Sequence, residues 1–402
     1  MDSQRILFIS PQPFFQWRGS PIRVKFNLLA LSAAGYHTDL LTLPVGEDVV
    51  LPDVDVHRVA NPFRVRQVPI GPNMWKLFFD LLLLVQGFRL CRKHRYAVIH
   101  GIEEAGVLAV LLARWFKTRS VFEKHSDPAS YQKGPLINLL LRLYAGVERW
   151  TARRADAVIG TGPGLVDQVK VQCPGVAAFH IPDIPSSTEE ATEAEGREVR
   201  TQLGIEADEV VILYVGSFAV YQGIEILFDA IQEVLRRAER ARFVIIGGSA
   251  EQIEARRALL VEKGGDLAGR VSFVGTLDPD RLPAWLLAAD LLLSPRISGI
   301  NTPLKVLDYM KAGRAIVATD TEANRLLLDE DTAAFAPPDA DAFAQRLIEL
   351  VGDREKRERL GAAARRRFEE EYTLDHHQAR LSDCYRHVLG EPSAADTTKD
   401  PS

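Results

Sequence analysis

Short apolar runs, each closed by a polar or turn-forming residue, recur along the chain and alternate with longer segments of helical period. In the first half, residues 5–10, 37–42, 54–59, 96–100, 119–124, 157–161 and 179–181 read as buried strands. Between them, residues 20–34, 74–95, 105–116 and 136–155 read as helices. The second half repeats the alternation. Strands are predicted at 210–215, 242–247, 271–274, 291–294, 315–319 and 333–336, and helices at 223–240, 251–263, 279–288, 339–372 and 374–389. Strands that alternate with helices in this way build parallel sheets, so the fold class is α/β, with two doubly wound sheets of similar size facing across a cleft. The first domain spans 1–183. Residues 184–200, with Pro185 and a cluster of glutamates, read as a linker. The second domain spans 201–372, a last helix covers 373–390, and the small, polar tail 391–402 is expected to be disordered.

Composition narrows the function classes. The chain has 402 residues, a net charge of −5 and 47% hydrophobic residues, with no basic excess of the kind that nucleic acid demands. Its three cysteines, Cys91, Cys173 and Cys384, stand far apart. They suggest neither a disulfide framework nor a metal site, and fit a reducing compartment. The opening run is a short strand, not a signal peptide, and no uninterrupted apolar stretch is long enough to span a bilayer, so a cytoplasmic protein is expected.

Candidate chemistry concentrates at the ends of predicted strands. Residues 293–313 run from a buried strand through a turn at Gly299 and Asn301 into a helix that Thr302 can cap and Pro303 can open. Gly313 suits the left-handed position that ends it. Such a loop presents free backbone N–H groups at the positive end of a helix, where α/β folds hold phosphates. Lys305 and Asp308 share a face of that helix, with Arg296 before it. An ammonium for a diphosphate and a carboxylate for a ribose would make a nucleotide pocket. The alternative is an ordinary strand–loop–helix unit with solvated charges.

In the first half, Arg18-Gly19-Ser20 precedes a helix but lacks the three-glycine dinucleotide fingerprint, so it reads as a ligand-facing loop, or a simple turn glycine, and not an NAD site. Glu103 and Glu104 follow one strand end, and His125-Ser-Asp127 follows another, where side chains point into the ligand crevice. His125 is the candidate for catalysis or substrate contact in this half; a structural histidine is the alternative. Residues 74–95 form a very apolar helix ending in Arg92, Lys93, His94 and Arg95. It is either a patch for a membrane surface or lipid acceptor, or a helix buried beside the sheet with cations at its C-terminus.

The stretches 210–227, 243–248, 271–275, 289–295 and 301–319, together with 6–15 and 18–23, resemble the retaining glycosyltransferases of family 4, the group 1 glycosyl transferases, over nearly the whole chain. The resemblance implies the GT-B fold, with a sugar nucleotide on the C-terminal domain and a glycan or lipid-linked acceptor on the N-terminal one. It also implies transfer with retention, without metal or other cofactor, in synthesis of cell-surface polysaccharide or glycolipid. By position, Asp308 matches the ribose-binding carboxylate of the family's paired-glutamate motif, and Lys305 would meet the diphosphate. Gly19 would lie over the donor phosphates, and His125 would lie near the transferred sugar. Ser217, Arg296, Gly299, Ile300, Asn301 and Thr302 would complete the donor site, and Arg18, Glu103 and Asp127 the acceptor site.

Three departures from the family pattern stand out. The motif's first glutamate falls at Ile300. The usual arginine and lysine after the first strand of the second domain are replaced around Ser217, Phe218 and Gln222. Asp308 stands in place of glutamate. Arg296 and Lys305 are then the candidates for the missing diphosphate charge. A sugar-nucleotide epimerase, a phosphorylase or a non-catalytic binding subunit of the same fold are the other readings. Contact with the inner face of a membrane through 74–95 is a further expectation.

Overall fold

The computed structural model describes residues 4–17, 19–66, 68, 74–126, 135–299 and 302–392. The chain forms two compact units, Met1–Asp183 with Leu374–Ser402, and Ile184–Thr373.

The first unit runs β1 (Arg5–Ser10), α1 (Gly19–Ala33), β2 (His37–Thr42), β3 (Val54–Arg58), α2 (Met74–Lys93), β4 (Val98–Ile102), α3 (Ala105–Phe116), β5 (Arg119–Lys124), α4 (Pro135–Ala152), β6 (Ala157–Gly160), α5 (Pro163–Gln172) and β7 (Ala177–His180). Its parallel sheet has the order β3-β2-β1-β4-β5-β6-β7. The order reverses between β1 and β4, and a doubly wound sheet opens its ligand crevice at the carboxyl ends of strands beside such a switch. α2 and α3 pack one face of the sheet around Leu7, Ile9, Leu41, Phe79, Leu83 and Leu112.

The second unit runs α6 (Glu193–Gln202), β8 (Val210–Val215), α7 (Ile224–Arg237), β9 (Ala241–Ile246), α8 (Ala250–Gly264), β10 (Val271–Gly275), α9 (Leu282–Ala288), β11 (Leu291–Ser294), α10 (Leu304–Ala312), β12 (Ala315–Thr319), α11 (Glu322–Arg325), β13 (Ala334–Ala336), α12 (Ala340–Gly352) and α13 (Arg354–Glu371). The last helix, α14 (Leu374–Leu389), returns to the first unit and packs along α1. The second sheet has the order β10-β9-β8-β11-β12-β13, with its switch between β8 and β11. Every strand pair in both sheets is parallel. The central strands β1, β8 and β11 are near-continuous apolar runs, as expected where helices cover both faces of a parallel sheet.

Three sequence expectations change. Part of the expected linker is α6, set by a capping box: Glu195 N–H donates to Thr192 Oγ1 at 3.3 Å, and Thr192 N–H donates to Glu195 Oε2 at 2.7 Å. This helix packs against α9, where Gly196 lies against Leu287 and Ala288. The long helix expected at 339–372 is broken at Asp353, whose side chain caps α13 through Lys356 N–H at 2.9 Å. Thr302 does not cap α10. Pro303 occupies that position with extended backbone and no side-chain cap, and the helix starts at Leu304.

Candidate functional site

In the second unit, β8 and β11 end side by side at the switch point, and each leads through a loop into a helix, α7 and α10. Polar anchors fix both loops. The Tyr309 hydroxyl, on α10, donates to Leu293 O and accepts from Val215 N–H, each at 3.2 Å, tying the two strand ends together. Behind β11, Asn324 donates to Thr319 O at 2.8 Å and to Ser294 O at 3.2 Å, and its Oδ1 accepts from Ser294 Oγ at 2.8 Å. The Thr319 hydroxyl donates to Arg296 O, so this wholly buried cluster holds the start of the 295–302 loop. Gly223 turns the chain into α7 with φ 70°, and a Cβ there would strike Pro295 O of the other loop. Only glycine fits where the two loops meet.

Two cations converge here. Lys305 Nζ, in the first turn of α10, donates to Gln222 Oε1 at 2.8 Å and lies 4.6 Å from the Tyr214 ring centroid. Arg296 donates from Nε to Ser298 O at 2.8 Å and stacks 5.6 Å from Tyr221. No carboxylate pairs with either among the described residues. Burial, then the nearby Arg296 charge, pulls the Lys305 ammonium down to about 7, and burial lowers Arg296 as well. Two partly desolvated cations without a counter-ion form a site short of negative charge. Gly216 faces Lys305, and Ser217 is exposed, its carbonyl accepting from the Tyr214 hydroxyl at 2.9 Å. Gly299 takes φ 105° beside the Arg296 guanidinium. Thr302 is half-buried before α10; Ile300 and Asn301 lie outside the described residues.

Asp308 is already engaged. Its two oxygens accept from the N–H and the hydroxyl of Ser186, each at 2.8 Å. Burial pushes its carboxyl up to about 6 against these hydrogen bonds. A buried carboxylate needs such donors. One turn later, Lys311 donates to Ser187 O at 3.1 Å and Glu189 O at 2.6 Å, so the segment after Ile184 is strapped along α10.

In the first unit, His125, Glu103 and the N-terminus of α1 meet beyond the ends of β4 and β5. His125 N–H donates to Glu103 Oε1 at 2.7 Å. The His125 ring lies between Ser20 Oγ, 3.1 Å from Nδ1, and Glu123 Oε1, 2.7 Å from Nε2. Burial raises the Glu103 carboxyl, and its φ of 50° places a non-glycine residue in the left-handed region, which is commonest at functional sites. Gly19 opens α1 with free space around it. Arg18 and Asp127 lie outside the described residues.

The residue that orients His125 had no place in the sequence reading. Glu123 is fully buried, accepts from Arg23 Nε and from Asn27 Nδ2 at 2.8 Å, and lies 2.9 Å from His100 Nε2. Burial would raise its carboxyl, but Arg23, His100 and His125 hold it well below the usual carboxylate range. From α14, His377 Nε2 reaches Asn27 Oδ1 at 2.8 Å and the Tyr385 hydroxyl reaches His100 Nδ1 at 2.9 Å. The available signals were Arg23 and Asn27 one turn apart on an apolar helix, and a glutamate inside a buried strand.

Residues 209–353 match the profile described as "Glycosyl transferases group 1", and residues 24–173 that described as "Glycosyl transferase 4-like domain". The chain belongs to the group 1 glycosyltransferases. It is 27% identical over 324 residues to the alpha-D-kanosaminyltransferase of Streptomyces kanamyceticus, covering 77% of this chain and 82% of that one. Over 182 residues it is 29% identical to a phosphatidyl-myo-inositol mannosyltransferase of Mycolicibacterium smegmatis, covering 44% and 45% of the two chains. Among solved structures, a sucrose-phosphate synthase from Thermosynechococcus elongatus superposes with a TM-score of 0.74 at 25% identity, over 96% of this chain and 99% of that one. The two sheets are the Rossmann-like halves of a GT-B glycosyltransferase. The chain is thus a glycosyltransferase.

Proposed function

We propose that this glycosyltransferase takes a sugar from a nucleoside diphosphate sugar held by its second unit and transfers it with retention of anomeric configuration, without a metal. One observation carries the reading: Lys305 and Arg296 lie at the β8/β11 switch point with no carboxylate partner among the described residues. Departure of a nucleoside diphosphate places negative charge where these cations and the N-terminus of α10 are already fixed. The loop after β8 lacks the family's usual arginine and lysine around Ser217, Phe218 and Gln222, and Gln222 Oε1 accepts from Lys305 Nζ. The positive charge beside that loop comes from α10 instead.

The ribose would meet Asp308. Ser186 presents one N–H and one O–H to its two oxygens, the donor pattern of a vicinal diol, so a ribose would replace Ser186 there. In the first unit, His125 and Glu103 are the proposed contacts to the acceptor. Glu123 and Ser20 fix the His125 ring plane. The acceptor is proposed to be a glycan or a lipid-linked saccharide, handled at the cytoplasmic face of a membrane.

Incubation with a panel of sugar nucleotides and acceptors, with the product's anomeric configuration read by NMR, tests this. Retention with one donor, in the presence of a metal chelator, is the expected result. Inversion, or a strict need for a divalent ion, would overturn the mechanism. The missing glutamate at Ile300 favours one other reading, a subunit that binds a nucleotide and turns nothing over. Nucleotide binding without release of product in every combination would select it.

A further inference from the structure

Three neighbouring helices of the first unit expose apolar side chains to solvent. On α2, Leu77, Leu81 and Val85 recur at helical spacing and are exposed, Leu77 at 66%, while Phe79 and Leu83 on the opposite face are fully buried. α3 packs beside it and exposes Leu111 and Trp115, the latter at 73%. Phe88 joins the two stripes, its ring 5.9 Å from that of Trp115. α4 also packs against α3 and exposes Leu143 and Val147. Apolar patches spanning several elements mark interaction surfaces; single exposed leucines do not.

The charges on these helices have one sign. Arg89, Arg92 and Lys93 on α2, Arg114 on α3, and Arg142 and Arg149 on α4 are exposed. Among the described residues of the three helices no carboxylate is exposed. Asp80 is half-buried, burial and then Glu104 pushing its carboxyl up to about 7, and Glu148 pairs with Lys124. Next to α3, Glu104 pairs with Lys76. In a chain whose net charge is −5, this face combines apolar side chains with arginine and lysine alone.

We propose that this face docks on the surface of an anionic phospholipid bilayer. The stripes of α2, α3 and α4 would sit at the headgroup boundary, with the cations against lipid phosphates. The sequence pointed at α2 only, and left a buried helix as its alternative. The structure buries one side of α2, frees the other, and extends the free side over two further helices. No helix among the described residues is long and apolar enough to cross a membrane, so the contact would be peripheral. The proposal does not depend on the glycosyl-transfer reading; it says where a lipid-linked acceptor would be met.

The test is co-sedimentation of the whole protein with vesicles of phosphatidylcholine alone and of phosphatidylcholine mixed with phosphatidylglycerol, at low and high salt. Binding to the mixed vesicles at low salt is expected. It should fall at least about tenfold in Leu81→Glu/Trp115→Glu, which removes the apolar contact, and in Arg92→Glu/Lys93→Glu, which reverses charge. All four positions are exposed, so the melting temperature of each variant should match that of the wild type and show that both fold. No binding by the wild type, or equal binding by all three proteins, would overturn the proposal. So would a concentration-dependent dimer that the same substitutions break, which would make a second copy of the chain the occupant.

Discussion

Lys305 carries most of the residue-scale weight. Its folded-state pKa lies below that of an exposed lysine, because burial and Arg296 disfavour the charged form. Between about pH 10 and pH 7 the unfolded chain therefore binds a proton that the ligand-free folded site does not, and stability from this group falls as pH falls through that window. A bound diphosphate would restore the proton. Calorimetric titration at pH 8 in buffers of different ionisation enthalpy should thus show proton uptake on nucleoside diphosphate binding. Lys305→Ala should lose about 2 kcal/mol of binding, roughly thirtyfold, together with that uptake. Asp308 has the opposite sign: its folded pKa is raised to about 6, so it favours the folded state most below the unfolded value and loses that contribution as pH rises toward 6. Ser186→Gly removes the hydroxyl that occupies Asp308. Measured by the same titration, it should tighten nucleotide binding if the ribose takes that place, and leave it unchanged or weaker if Ser186 only braces the helix.

Among the elements, the two loops at the switch point depend on a close approach that allows no side chain. Gly223→Ala would add left-handed strain to a collision with Pro295 O, and should cost on the order of 2–4 kcal/mol in urea unfolding while displacing Arg296. α14 makes a different contribution. Tyr385→Phe deletes only a hydroxyl, yet leaves His100 Nδ1 without that donor, for a cost of about 1–3 kcal/mol by the same assay. These examples also show what the sequence makes legible. β1, β2, β5, β8, β11 and β12 lie at the residues expected of them, because each carries an apolar stretch between turn-forming or helical segments, as in Ile6–Ile9, Leu40–Leu41 and Val121–Phe122. α6 went unread although Thr192 and Glu195 spell a capping box, since the surrounding glutamates look like a solvated linker. The start of α10 shifted because Pro303 takes extended backbone.

For the whole molecule, the family, the GT-B fold and the parallel order of both sheets follow from the repeated strand–helix alternation and the resemblance. The candidate site was legible to the extent that chemistry is expected past strand ends: Arg296, His125 and Glu103 follow β11, β5 and β4, and Lys305 opens the helix after β11. The residues that brace it were not, because Glu123 acts through Asn27, Asn324 through Ser294, Tyr309 through Val215 and Ser186 through Asp308, all distant in sequence, the first three from interior positions of strands and helices. Spacing cannot report pairs such as Ser186 with Asp308, 122 residues apart. A nucleoside diphosphate at about a hundredfold excess over its dissociation constant should stabilise the second unit by about 2.7 kcal/mol, a rise of roughly 5–10 °C in the melting temperature of that unit.

The central claim is that the second unit binds a nucleoside diphosphate through Lys305 and Arg296. Its most direct measurement is calorimetric titration of UDP, GDP, ADP and dTDP into the wild type, Lys305→Ala and Arg296→Ala. The account predicts that one of them binds the wild type with proton uptake at pH 8, and that each substitution weakens it by at least about tenfold. Equal affinity in wild type and variants, or no binding by any of the four, would contradict it.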